Sequence, residues 1–469
     1  MSATSQDPDA SQDPGAPADH TSGYARATGL LSIGLAVAGL ITFAFFSLAS
    51  HTLSAQGYTR IVVLWSVMFI VICTIYRPVE QLLSRTIAQR RASGAAHDHP
   101  LLVPAAIQIG FGLVFVVSAL VARDPIQQGL FDGSASLYWA LMAGVTTYGA
   151  AYFARGWLAG YKRYTVLGAL VLSDAVARVC FPLAVALGIG GEATVALGVA
   201  AAPVLSLLVV PLAFGRRVAT LGEDHGSPLA PAADAALEGP GAEGAEEALT
   251  DLTLAHGAGF AFAVLGIMLA EQALLNFPVL TVNALAGDAA LAGFVFNVLL
   301  ISRAPLQLFQ AVQLSLLPHL AGLEATEGRQ AFHHAVWVTA LAIAAFTAAV
   351  AVGLALVGPA VMNAVFGGGF EYARGGLVLM GLGMGLHLFA GTLNQAALAR
   401  GRAAASALAW LAVAGLFVAW LLLAPVADQV LRVQIGYCAA TGLLSLGLLV
   451  VVRGRGRELQ PDAAPASAR

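Results

Sequence analysis

Twelve apolar stretches of membrane-crossing length recur between Thr28 and Val452, and this repetition leaves the chain few folds. They run Thr28–Ala49, Ile61–Leu83, Leu101–Val121, Leu137–Phe153, Thr165–Leu187 and Thr194–Phe214, then Gly257–Leu280, Ala289–Leu317, Ala335–Val357, Gly376–Leu398, Ala403–Leu423 and Val433–Val452. A helix rises about 1.5 Å per residue, so stretches of roughly 17 to 25 residues cross a hydrocarbon layer about 30 Å thick, longer ones by tilting or projecting. Inside that layer the backbone must satisfy its own hydrogen bonds, which selects helices. Only 10% of the 469 residues are charged, against about 25% in ordinary soluble domains. The reading is an all-α integral membrane protein with about twelve transmembrane helices in two pseudo-symmetric six-helix lobes.

Basic residues in the short loops set the expected orientation. Arg85, Arg90 and Arg91; Arg155, Lys162 and Arg163; Arg216 and Arg217; Arg329; Arg400 and Arg402; and Arg453, Arg455 and Arg457 fall on one side, against Arg60, Arg123, Arg374 and Arg432 on the other. Both termini are therefore expected in the cytoplasm, with the body in the plasma membrane. Residues 1–25, where "SQDP" occurs twice, and 454–469 read as disordered cytoplasmic tails, because they lack the apolar residues of a core. The Ala-, Gly-, Pro- and acid-rich stretch 216–255 reads as a flexible tether between an N-terminal lobe, 26–215, and a C-terminal lobe, 256–453.

The second crossing of each lobe carries a related pattern. Gly57 leads to Arg77-Pro78, Glu80-Gln81 and Ser84, whereas Gly287 leads to Arg303, Pro305, Gln307, Gln310 and Gln313. Arginine, proline and a glutamine-bearing face at similar depth, on helices of the same polarity, point to an internal duplication. Thr74, Arg77, Gln81 and Ser84 step by three or four and share a helix face, as do Arg303, Gln307 and Gln310. Pro78 and Pro305 are expected to kink their helices by removing a backbone donor.

A charge near the bilayer centre costs about 2.5 to 3.5 kcal/mol on insertion scales, so each one should face protein or water. The intramembrane set is Arg77 and Glu80, Asp174 and Arg178, Glu271, Arg303 and the titratable His387. Asp174 with Arg178, and Arg77 with Glu80, have the spacing of local ion pairs; each pair also reads as part of a site. Arg303 has no acid within four residues on its own helix, and Glu271 on the preceding helix is the available neutraliser. Guanidiniums held in a dehydrated cavity bind phosphate oxygens through paired hydrogen bonds. The expected anion-binding set is thus Arg77, Arg178 and Arg303 with Gln81, Gln307 and Gln310, and the coupling or ion-pair set is Glu80, Asp174, Glu271 and His387.

Other signals are weaker. His97–His99 and His333-His334 read as solvated or loop histidines, while Cys73, Cys180 and Cys438 lie far apart in apolar segments, so neither metal spacing nor a disulfide framework is present. No cofactor, metal or nucleic-acid partner is expected. The outer loops are short and hold no paired carboxylates, which ranks a membrane glycosyltransferase or polymerase low and favours a non-enzyme.

"GYTRIVVLWSVMFIVICTIYRPVEQLLSRTIAQRRA" and "LLNFPVLTVNALAGDAALAGFVFNVLLISRAPLQLFQAVQLSLLPHLAG" resemble the first-half and second-half signatures of bacterial polysaccharide biosynthesis proteins in the multidrug/oligosaccharidyl-lipid/polysaccharide (MOP) exporter superfamily. The resemblance implies two six-helix lobes in a V around a central cavity and, in its flippase branch, movement of an undecaprenyl-diphosphate-type oligosaccharide from the inner to the outer leaflet of a bacterial plasma membrane. It further implies other polysaccharide-assembly membrane proteins as partners. An antiporter of small molecules is the alternative within the same superfamily. Where relatives often have Asn-Leu-Asp on the seventh crossing, this chain has Asn276-Phe277-Pro278, which leaves Glu271 as the acid on that helix.

Overall fold

The computed structural model describes residues 18–92, 101–211, 242–285, 290–303, 328–367 and 371–454, and every regular element among them is helical. The elements of the first half are α1 (Ala18–Thr52), α2 (Ala55–Ile75), α3 (Arg77–Ala92), α4 (Leu102–Val121), α5 (Arg123–Phe131), α6 (Ala135–Gly160), α7 (Tyr164–Ala186) and α8 (Glu192–Leu207). Those of the second half are α9 (Ala242–Leu285), α10 (Ala290–Arg303), α11 (Gly328–Phe366), α12 (Arg374–Ala399), α13 (Ala403–Leu423) and α14 (Gln429–Arg453). Ten crossings among the described residues are long and apolar enough to span a membrane, with α2 and the start of α3 forming one of them. α6 and α10 occupy the two remaining expected segments.

Packing repeats between the halves. In the first, α1 packs on α7, α7 on α8, and α6 on α8; in the second, the sequence-equivalent helices α9, α13, α14 and α12 pack in the same pairs, α9 on α13, α13 on α14, and α12 on α14. A duplicated hydrophobic pattern buries the same faces twice, and this makes the two lobes pseudo-symmetric. α4 and α11, the third crossing of each half, are the least buried of the spans and present their apolar side chains outward.

Two helices begin earlier than the apolar pattern indicates. α1 starts at Ala18, inside the stretch expected to be a tail, and α9 starts at Ala242, inside the expected tether. "AEGAEEAL" at the head of α9 is rich in strong helix formers, so the helix continues past its membrane portion. No apolar pattern announces the short α5; it is closed by Asp132 and Gly133 in the left-handed region, φ 49° and 82°, which turn the chain into α6.

At Pro78, where a kink is expected, the crossing is interrupted, whereas Pro305 lies outside the described residues. The helix breaks at Tyr76, and α3 resumes at Arg77. Pro78 donates no hydrogen bond, which loosens the turn, and the buried Tyr76 ring wedges against Gly149 of α6, where an added Cβ would lie 3.1 Å from its Cζ. Farther along, a Cβ on Gly156 would lie 2.8 Å from the Glu80 carbonyl oxygen, so glycine there lets α3 lie directly on α6. At the other end of α2, Arg60 grips Glu192 at the head of α8 through two hydrogen bonds of 2.9 and 2.6 Å. The kinked crossing is thereby fixed to its own half at both ends.

Candidate functional site

The two halves meet where α1 and α2 face α9 and α10. At the end that the basic-residue rule assigns to the outside, the seam is closed. Tyr58 donates to Asn297 Oδ1 at 2.5 Å, Asn297 Nδ2 approaches the Tyr372 hydroxyl at 3.5 Å, and Ser47 donates to the Val365 carbonyl at 2.5 Å. Phe46 lies 4.6 Å from Phe296, and Tyr372 stacks on Phe294 at 4.9 Å. Gly293 makes this approach feasible, because a Cβ there would sit 2.9 Å from Thr59 Oγ1 and 3.2 Å from the Tyr58 ring. Burial pushes the Tyr372 phenol above its ordinary range, which keeps the hydroxyl neutral within the seam.

Deeper in the bundle, Glu271 of α9 is the meeting point of charge. His387 of α12 places Nε2 3.7 Å from Glu271 Oε1, and the carboxylate is faced by Arg77 from the first half and Arg303 from the second. His387 is 2% exposed; its Nδ1 lies 3.1 Å from the Tyr437 hydroxyl, and its edge meets Trp410 with centroids 5.6 Å apart. Gly383, one turn before His387, brings α12 close to α14: a Cβ there would be 2.9 Å from the Tyr437 ring and 3.2 Å from Cys438 Cα. Arg303 donates to the Leu275 carbonyl in the turn that Pro278 interrupts, and among the described residues its buried Nε has no partner.

Arg77 is held differently. Among the described residues it makes no hydrogen bond or ion pair; its charged neighbours, beyond contact, are Glu271 across the seam and Glu80 on its own helix. Glu80 is also faced by Arg155 of α6, and among the described residues no ion pair joins it to Arg77. Gln81 is exposed, and Gln307 and Gln310 lie outside the described residues.

Arg178 lies elsewhere in the first half. It donates to Asp174 and, at 2.9 Å, to the Tyr148 hydroxyl, and its guanidinium lies over the Trp65 ring at 4.8 Å. Both Arg178 and Asp174 are 4% exposed. The structure therefore puts Glu271 in contact with His387 and within the electrostatic reach of Arg77 and Arg303, while Arg178 and Asp174 form a separate ion pair inside the first half. Removing two charges from water costs several kcal/mol each, and only the close pair with its extra hydrogen bond offsets that cost.

Sequence reasoning missed Tyr437, Tyr148 and Arg155 as members of these clusters. Tyr437 and Tyr148 sit in apolar runs like ordinary packing residues, and Arg155 reads as a loop anchor, although it lies over the Tyr152 ring at 4.8 Å with a buried, unpartnered Nε. Arg400 and Arg402, read as loop cations, donate to the Val452, Val451 and Gly454 carbonyls and so satisfy the acceptor groups at the end of α14.

The class so defined is a multi-pass, all-helical membrane protein of two duplicated lobes, with a buried carboxylate–imidazole contact, Glu271–His387, in the second. Its fold is similar to those of solved MATE transporters. An inward-facing multidrug resistance MATE family transporter of the MOP superfamily superposes with a TM-score of 0.62 at 13% identity, covering 88% of this chain and 93% of that one. The eukaryotic MATE transporter AtDTX14 gives 0.62 at 13% identity over 93% and 97%, and a single-site mutant of the Vibrio cholerae MATE transporter VcmN gives 0.59 at 13% over 92% and 97%. No protein-family model matches the sequence. No curated protein matches it either.

Proposed function

We propose that the chain is a MOP-type antiporter that moves a small solute by alternating access of its two lobes, 26–215 and 256–453, with Glu271 and His387 carrying the exchanged proton. The buried Glu271–His387 contact at 3.7 Å carries this reading. A carboxylate in contact with an imidazole offers two groups that can hand a proton to one another, whereas the Asp174–Arg178 pair keeps fixed charges. Arg77 faces Glu271 from the opposite half, so the charge on Glu271 acts on both lobes and biases their separation. The folds that the chain resembles belong to transporters, one of them described as a multidrug resistance protein. Two guanidiniums against one carboxylate make the seam better suited to a neutral or anionic solute than to a cation.

In proteoliposomes holding the full chain and a lumenal pH dye, uptake of one member of a panel of anionic, neutral and cationic fluorescent dyes is expected to move protons. Glu271→Gln and His387→Gln should abolish the proton signal. Wild-type coupling in both variants would overturn the reading.

A second reading is the lipid-linked oligosaccharide flippase, with the termini in the bacterial cytoplasm. Arg77, without an ion pair among the described residues, and Arg303 both act on the charge of Glu271, one from each half, and two guanidiniums near one site would suit a diphosphate. Arg77→Ala and Arg303→Ala would then stop translocation of a diphosphate-linked oligosaccharide, and unchanged translocation would remove this branch.

A further inference from the structure

His387 has two ring nitrogens with different tasks. Nε2 points to Glu271 at 3.7 Å, and Nδ1 to the Tyr437 hydroxyl at 3.1 Å. The same hydroxyl lies 3.6 Å from Met384 Sδ, one turn before His387 on α12. Imidazole and phenol rings are nearly parallel, 11° apart with centroids separated by 6.2 Å, and both side chains are buried, at 2% and 0% exposure. The hydroxyl thus has two alternatives within reach: a nitrogen that accepts or donates according to the protonation of the ring, and a sulfur that only accepts.

We infer that Tyr437 is the positioning residue of the Glu271–His387 pair, a hydroxyl rotor that turns between His387 Nδ1 and Met384 Sδ and fixes which imidazole nitrogen presents a proton to Glu271. With neutral His387, the Tyr437 O–H donates to bare Nδ1, which leaves the single ring proton on Nε2, facing the carboxylate. With protonated His387, Nδ1–H donates to the Tyr437 oxygen, and the hydroxyl proton turns to Met384 Sδ. The Tyr437 hydroxyl and His387 Nδ1 are hydrogen-bonded to each other in both states, with donor and acceptor exchanged. The weak sulfur acceptor makes the second arrangement the less favoured, so the rotor holds the neutral ring in the Nε2–H form without trapping the cation.

The surroundings agree with such a device. From the helices around His387, the titratable or charged groups are Glu271 of α9, Arg303 of α10 and Tyr437 of α14, with Arg77 facing Glu271 from the first half and Cys438 beside Tyr437. α13 contributes the non-titrating Trp410, and α11 brings Thr347 against Gly385. Among the described residues Tyr437 is the group that hydrogen-bonds Nδ1, and the buried Trp410 Nε1 makes no hydrogen bond. The inference rests on the proposed proton-carrying role of the pair only for its consequence in transport; the tautomer assignment stands on local geometry.

The test is 15N NMR of the full chain, labelled at histidine and reconstituted in lipid vesicles, with the His387 signals identified by their loss in His387→Gln. At high pH the wild type is expected to show the Nε2–H pattern. Tyr437→Phe removes only the hydroxyl and should shift the tautomer ratio about five-fold or more toward a mixture, the equivalent of one neutral hydrogen bond. Met384→Leu should leave the neutral pattern unchanged and alter the 15N shift of Nδ1 in the imidazolium, because the phenol then has no sulfur to turn to. An unchanged tautomer ratio in Tyr437→Phe, or an Nδ1–H pattern in the wild type, would overturn the rotor. Should the ratio shift while Glu271→Gln retains wild-type proton coupling, the rotor stands and the antiporter reading falls.

Discussion

Replacing Asp174 by Ala should destabilise the protein strongly, and replacing Arg178 at the same time should restore most of the loss. Arg178 is 4% exposed and has three partners: the Asp174 carboxylate, the Tyr148 hydroxyl at 2.9 Å and the Trp65 ring at 4.8 Å. Without Asp174 the guanidinium remains buried with a neutral hydroxyl and a π face. Breaking a buried pair from one side costs about 3 to 5 kcal/mol, and the surviving cation–π contact, up to about 2 kcal/mol when desolvated, is already part of the wild-type balance and does not grow to compensate. The expected cost of Asp174→Ala is therefore about 3 kcal/mol or more. In Asp174→Ala/Arg178→Met both charges are gone and a flexible apolar side chain fills the space along Trp65, so the loss should fall to about 1 kcal/mol. Intrinsic-fluorescence unfolding of the full-length protein in detergent, at one fixed heating rate because such unfolding is kinetically controlled, reads the ranking. A double variant as unstable as the single one would refute the argument, since the damage would then not come from an unpaired charge.

Other perturbations probe the seam and the kink. Gly293→Ala adds a methyl 3.2 Å from the Tyr58 ring, so it should wedge the outer end apart and increase labelling of Thr59→Cys by a membrane-impermeant thiol reagent several-fold over the same cysteine with Gly293 intact. Gly156→Ala places a methyl 2.8 Å from the Glu80 carbonyl oxygen and should cost about 1 to 3 kcal/mol in the same unfolding assay, because backbone cannot move aside as a side chain does. Pro78→Ala restores a backbone donor to the turn after Tyr76; hydrogen exchange around residues 74–80 should slow, and unchanged exchange would assign the kink to the Tyr76 wedge instead.

Periodicity and residue type carried the architecture. Apolar stretches of the right length lie on helices throughout the described residues, and the break at Tyr76 sits beside the proline that announces it, since both features are set by local backbone chemistry. The repeated Arg-Pro pattern pointed to a duplication that the equivalent helix packing displays. Partner choice was less legible. Asp174 and Arg178 are four apart on one helix, which admits their pair, but only the tertiary fold brings Tyr148 and Trp65 to it. Glu271 and His387 are 116 positions apart, and Tyr437 another 50, so no local spacing links them. Glycines such as Gly293 and Gly383 are what let these distant helices approach, and in sequence they look like any other small membrane residue.

Whether protonation at Glu271–His387 moves the lobes can be measured by spin-label distances without knowing the solute. Labels at Gln56→Cys and Glu371→Cys, both exposed near the closed end, in a background where Cys73, Cys180 and Cys438 are replaced by Ser, report the gap between the halves. Between acidic and alkaline pH the wild-type distance distribution should change its weight between a short and a long population. In Glu271→Gln and His387→Gln it should become insensitive to pH. A pH response that persists unchanged in both variants would contradict the assignment of the coupling proton to this pair.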